Sequence, residues 1–117
     1  MATKTHGLLS SASFNVTNSV QGSPSSSVTI YTVPSNRKAT VTLRTSASNS
    51  GTTTFTIRLS AATLFTDVLA AGDTLSLSDS GIALGAGQTL NATMTNSGAA
   101  GTGASAVFTV YGIEEDA

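Results

Sequence analysis

The chain contains no cysteine, so neither a disulfide framework nor a thiolate zinc site can hold it together. Tryptophan is absent too, and the only aromatics are four Phe and two Tyr, too few and too scattered for a platform on which bases or sugar rings stack. Charge is scarce: five basic and six acidic residues leave a net charge of −1 and make up 9% of the chain, against about a quarter in ordinary soluble domains. So weak a field offers no footprint for nucleic acid or for an anionic membrane. No apolar run approaches the length of a bilayer span, and Leu8-Leu9 is too short for the core of a secretory signal. Synthesis in a cytoplasm is the expectation. Asn15-Val16-Thr17 and Asn91-Ala92-Thr93 fit the glycosylation pattern, which without a secretory route is a coincidence of a Thr-rich chain.

Catalytic chemistry is equally thin. His6 is the only histidine, and a hydrolytic triad needs a base placed beside its nucleophile; the leader around His6 supplies no such neighbour. Asp67, Asp73 and Asp79 lie at or near turns. Calcium needs six or more oxygens from converging loops, whereas single Asp residues at turns ordinarily bond their own backbone. Gly85-Ala86-Gly87 lacks the following helix and the Lys-Ser/Thr pair of a phosphate cradle. No enzyme activity, cofactor or metal is therefore expected.

What the chain does have is hydroxyls: 20 Thr and 18 Ser among 117 residues, alternating with aliphatic residues at a period of two. Successive strand side chains point to opposite faces. Ala39-Thr40-Val41-Thr42-Leu43-Arg44 thus sets an apolar face against a hydroxyl face. At this length one domain is expected. A surface poor in Lys, Glu, Asp and Arg is either a neutral polar coat or an interface, since charge depletion marks interface cores.

Residues 1–27 read as a Ser/Asn-rich arm whose apolar points are Leu8, Leu9, Phe14, Val16 and Val20, with a possible short strand at Phe14–Thr17 and a connector at Gly22–Ser27. The domain, 28–117, opens with Val28–Val33, turns at Pro34–Lys38 and returns as Ala39–Thr45, a hairpin on this reading, because Pro34 cannot sit in a central ladder. After a loop at Ser46–Gly51, Thr52–Ser60 alternates again. Ala61–Ala70 is open between a helical, a covering and a strand reading. Thr74–Ser78, Gly81–Leu84, Thr89–Thr95 and Ala106–Ile113 follow, the last after a Gly/Ala-rich loop, Asn96–Ser105. Seven or eight short, evenly spaced strands argue for an all-β antiparallel sandwich or jelly roll.

Four motifs stand in this order: Ile30-Tyr31-Thr32-Val33-Pro34, Leu69-Ala70-Ala71-Gly72-Asp73, Leu84-Gly85-Ala86-Gly87-Gln88-Thr89-Leu90 and the closing Val110-Tyr111-Gly112-Ile113-Glu114. With the strand Ala39–Leu43 they resemble small β-sandwich virion proteins of tailed bacteriophages, over residues 28–114. The turn Ser35-Asn36-Arg37-Lys38 departs from the Gly-Lys that often follows the proline there. The resemblance implies a structural role on the virion: a decoration or cement subunit on the capsid surface, bound to the major capsid protein and to itself, with three copies the implied number. A tail, collar or host-receptor-binding module is the alternative; it would present loops 46–51 and 96–105 to a ligand.

In the last strand Phe108 and Val110 share one face, and Val107, Tyr111 and Ile113 the other. The expected partner contacts are therefore Phe14 and Val16 of the arm together with Val107, Tyr111 and Ile113, covered either by the arm or by a neighbouring subunit.

Overall fold

The computed structural model describes residues 4–18 and 24–117. Eight strands run in the order β1 (Lys4–Thr17), β2 (Ser25–Thr32), β3 (Arg37–Asn49), β4 (Thr52–Leu59), β5 (Ala62–Leu69), β6 (Thr74–Leu84), β7 (Thr89–Ser97) and β8 (Gly103–Asp116). They form two four-stranded antiparallel sheets, ordered β1-β8-β3-β6 and β2-β7-β4-β5. The all-β expectation holds, and the strand order makes the sandwich a jelly roll. The period-two pattern is what forms it. Along β3, Ala39, Val41, Leu43, Thr45, Ala47 and Asn49 are buried between the sheets, while Thr40, Arg44, Ser46 and Ser48 face out. β-Branched Thr suits such half-buried pleats.

Four phenylalanines link the two layers. Phe108 stacks on Phe14 at 5.8 Å and on Phe55 at 6.0 Å, and Phe55 meets Phe65 edge-on at 6.3 Å. Around them Ile30, Val41, Leu43, Ile57, Leu90, Met94 and Val110 are almost fully buried, burial on the order of 2 kcal/mol for each such side chain.

Several sequence expectations change. The segment read as an arm is β1, paired with β8 from Lys4 to Thr17, so the sandwich begins well before residue 28. Its hydroxyl-rich outward face disguised it. Ser25–Ser27 starts β2, while Val20 and Gly22-Ser23 lie outside the described residues. Val28–Val33 and Ala39–Thr45 do not form a hairpin: β2 pairs with β7, and β3 with β6 and β8. Val33 stays tied to the β6–β7 turn through Gln88 O and Gly87 N, and Arg37 N closes a turn on Pro34 O at 3.1 Å, which carries the chain to the other sheet. Alternation reports which face a residue takes, not which sheet its strand joins. Every consecutive strand pair crosses between sheets except β4 and β5, joined at Ser60-Ala61 with Ser60 at φ 51°. Ala61–Ala70 is thus an edge strand. Its helix-like spacing comes from apolar residues on both faces, Phe65 and Leu69 inward and Leu64 and Val68 outward, with a bulge at Leu64 between the pairs Ile57/Phe65 and Arg58/Thr63. Thr74–Ser78 and Gly81–Leu84 are one strand, interrupted near Gly81, φ 71°.

Each end is closed by a different device. At one, Arg37 donates from Nε to Glu114 Oε1 at 2.7 Å, from Nη1 to Asp116 Oδ1 at 2.8 Å and from Nη2 to Glu114 O at 2.9 Å, while the Tyr31 hydroxyl donates to Glu114 Oε2. Burial, then the Glu114 carboxylate, push the Tyr31 phenol well above its usual pKa. At the other end, side-chain amides pin the loops: Asn18 to Gly98 O at 3.1 Å, Asn49 to Ala70 O at 3.2 Å and Asp73 O at 3.0 Å, and buried Asn96 to Thr53 Oγ1 at 2.9 Å.

Candidate functional site

Among the described residues five large apolar side chains are well exposed: Leu8 (65%), Leu64 (43%), Val68 (59%), Val107 (55%) and Ile113 (37%). They fall on two surfaces. Leu8, Val107 and Ile113 lie on the outward face of the β1-β8-β3-β6 sheet; Leu64 and Val68 lie on β5, an edge of the other sheet.

The outward face can be read row by row from the register. Thr17, Gly103 and Ser50 begin it at the asparagine end. Asn15, Ser105 and Ser48 follow, then Ser13, Val107 and Ser46, then Ser11, Thr109 and Arg44. A bulge at Leu9 shifts β1 by one residue, which turns Leu8 outward, directly across from Tyr111; Thr42 flanks Tyr111 on the other side. His6, Ile113 and Thr40 come next, and Lys4, Glu115 and Lys38 close the face. Lys4 Nζ lies 3.4 Å from Glu115 Oε2, and the Arg44 guanidinium sits 5.9 Å above the Tyr111 ring. The face grades from hydroxyl-rich through an apolar centre to a charged margin. Its apolar centre is not needed for the core, which the opposite faces of the same strands already fill.

Of the five expected contacts, Val107, Tyr111 and Ile113 stand on this face as the alternation of β8 requires. Phe14 and Val16 point inward: Phe14 packs on Phe108, and Val16 is buried in the core cluster. Leu8 was missed as a contact, because only the bulge puts it beside Tyr111. The loops around residues 46–51 and 96–105 meet at the asparagine end, where Ser50 N donates to Gly103 O at 2.8 Å and Gly103 N to Ser50 Oγ at 3.0 Å. Both are shorter than expected, since β3 extends to Asn49, β7 to Ser97 and β8 starts at Gly103. A shallow cleft of about 470 Å³ opens beside them, lined by Asn15, Thr17, Ser48, Ser50, Gly103 and Ser105 among others, with no charged or aromatic side chain.

His6 is exposed opposite Ile113. Among the described residues no three His, Cys, Asp or Glu side chains stand together as a metal site. Asp67 and Asp73 accept backbone N–H groups, from Val68 at 2.8 Å and from Ala70 at 3.1 Å, the local role expected of them. The outward face of the second sheet is a hydroxyl array: Ser25, Thr95 and Thr54 form one row and Ser27, Thr93, Thr56 and Thr66 the next.

No protein-family model matches the chain, and no curated protein is similar to it. Solved structures share its fold. The crystal structure of PirA is 14% identical with a TM-score of 0.54, over 85% of this chain and 92% of that one. A subunit from a study titled "Bacillus endospore appendages form a novel family of disulfide-linked pili" is 14% identical with a TM-score of 0.51, over 95% and 88%. At such identity the likeness is one of fold.

Proposed function

We propose that this protein is a structural subunit of a virion of the tailed-phage type, decorating the outer surface of the capsid and reinforcing it by binding the major capsid protein. The observation that carries the reading is the outward apolar centre formed by Leu8, Tyr111 and Ile113, with exposed Val107 two rows away on the same strand, on a sheet whose inner face is already filled. Isolated exposed apolar residues are ordinary; a cluster rimmed by polar side chains marks a contact surface. The charge-poor composition favours the same reading.

The virion assignment rests on the motifs shared with phage proteins, and the fold gives them a common physical meaning. Tyr31 of the first motif donates to Glu114 of the last. In the two central motifs Leu69, Leu84 and Leu90 are buried, while Gly72 and Gly87, at φ 84° and 77°, form the turns. Without cysteine, no disulfide can hold an assembly that this chain enters. Repeated over a symmetric shell, contacts that are individually weak become firm attachment.

A second reading, a tail, collar or host-receptor-binding module, rests on the cleft at the asparagine end, where the two loops meet. Quantitative mass spectrometry of the gradient-purified particle separates the two. Hundreds of copies per particle are expected for a decoration subunit. A handful moves the protein to the tail or collar, and absence from the particle overturns the virion reading.

A further inference from the structure

The second exposed apolar pair, Leu64 and Val68, lies on an edge strand with no neighbour on its outer side among the described residues. Proteins ordinarily protect such edges with Lys, Pro, bulges or a covering element. The other three edges have that protection. β1 and β2 pack against each other across the sandwich; β1 also carries Lys4 and the Leu9 bulge, and β2 follows Pro24 and is bulged at Ile30. β6 is broken near Gly81. On the opposite side of the sandwich β5 and β6 scarcely touch, and beyond the Leu64 bulge Phe65–Leu69 runs in unbroken register with β4, without Lys, Arg or Pro.

We propose that β5 pairs antiparallel with β5 of a second copy, about a two-fold axis at Thr66, joining the two β2-β7-β4-β5 sheets into one of eight strands. The sequence is self-complementary in that register. On the outward face Thr66 meets Thr66 of the second copy, and Val68 meets its Leu64; on the inward face Phe65 meets its Asp67, so the two acids are never directly opposed. An isologous contact of this kind needs one patch that fits itself, and main-chain bonds along the edge supply affinity while alternate side chains fix the register. One backbone group is engaged locally, since the Asp67 carboxylate accepts from Val68 N at 2.8 Å. Asp67 is thus the sole acidic check on the edge.

The pairing stands independently of the proposed function and departs from the three copies that the phage resemblance implies; its consequence for attachment rests on that reading. A two-fold axis normal to the joined sheet leaves both β1-β8-β3-β6 sheets on the same side, so a dimer presents two copies of the Leu8/Tyr111 surface to one shell. Bivalent attachment then gains through effective concentration.

The test uses the full chain, whose lack of cysteine makes a single introduced thiol unambiguous. Opposed residues of an antiparallel pair have Cα atoms about 4.5–5.5 Å apart, within disulfide range. Thr66→Cys is expected to give a disulfide-linked dimer on mild oxidation, while Thr29→Cys, exposed on the β2 edge, stays monomeric on a non-reducing gel. In sedimentation equilibrium the unmodified chain is expected at twice its 11.6 kDa. Val68→Lys is expected to weaken the dimer at least tenfold with unchanged circular dichroism and melting. Monomers or trimers of the unmodified chain, cross-linking through Thr29, or a Val68→Lys protein that dimerises as before would each overturn the pairing. Particle copy number is read separately, so failure of the dimer and failure of the virion reading are distinguishable.

Discussion

Replacing Gly112 with alanine is the sharpest perturbation this fold offers. Gly112 sits in β8, directly between Gly7 of β1 and Val41 of β3, with φ 151°. A Cβ there would collide with the Thr40 carbonyl oxygen and come within 2.9 Å of Val41 Cα. Both obstacles are backbone, and β3 is held on its far side by β6 through Ala39, Thr40 and Val41, so it cannot retreat without breaking that ladder. Overpacking costs about 1–3 kcal/mol, and forcing a non-glycine residue into this φ region adds about 1–3 kcal/mol. A loss of about 2–6 kcal/mol is expected, much of the 5–15 kcal/mol that stabilises a typical domain. Gly7→Ala is the matched control: its φ is 107°, yet nothing lies within 4 Å of the added carbon, so only the backbone strain remains, about 1–3 kcal/mol. Urea unfolding should lower the Gly112→Ala midpoint by about 2 M and the Gly7→Ala midpoint by about half as much. Equal midpoints for the two variants would refute the claim that close approach of the strands, rather than φ alone, demands glycine.

Alkaline stability should depend on Tyr31. Burial and Glu114 raise its pKa in the folded state, so its contribution is complete below the unfolded phenol value near pH 10 and lost as pH rises beyond it. By pH 11 that loss is about 1 kcal/mol, and Tyr31→Phe should flatten the corresponding limb of a stability-versus-pH curve. Phe108, fully buried between Phe14 and Phe55, should cost about 3–5 kcal/mol as alanine and markedly less as leucine, measured by urea midpoints. Tyr111→Ser combined with Ile113→Ser should leave the unfolding free energy from urea titration within about 1 kcal/mol of the parent yet abolish re-attachment to stripped particles in a co-sedimentation assay; unfolding of the double variant would show instead that the outward face supports the sheet.

The four motifs that suggested a virion protein are joints of the jelly roll. Tyr31, Arg37 and Glu114 tie the β2–β3 crossing to the end of β8, and Gly112, two residues before Glu114, is the place where β8 is squeezed between its neighbours. Asp73 bonds Ala70 N, and Gly72 N bonds Asn49 O at 3.1 Å, so the Gly-Asp turn after β5 is locked to the end of β3. Residues far apart in sequence meet at these joints because the ends of a sandwich close only when turns from both sheets interlock.

The all-β class, the inward faces of β3 and β8 and the outward placement of Val107, Tyr111 and Ile113 were legible in the sequence, because side-chain alternation is a property of the strand itself. Strand partners were not legible. Val28–Val33 and Ala39–Thr45 read as a hairpin because the pattern is the same whether a chain returns beside itself or crosses to the opposite layer. Leu8 was invisible as a surface residue, since one bulge at Leu9 decides its face. Phe14 and Val16 looked like contacts for a partner until β1 took its place beside β8 and buried them within their own chain. Composition and period thus set which residues share a face, while loop geometry and bulges, which act between strands distant in sequence, decided which faces met and which edge was left open.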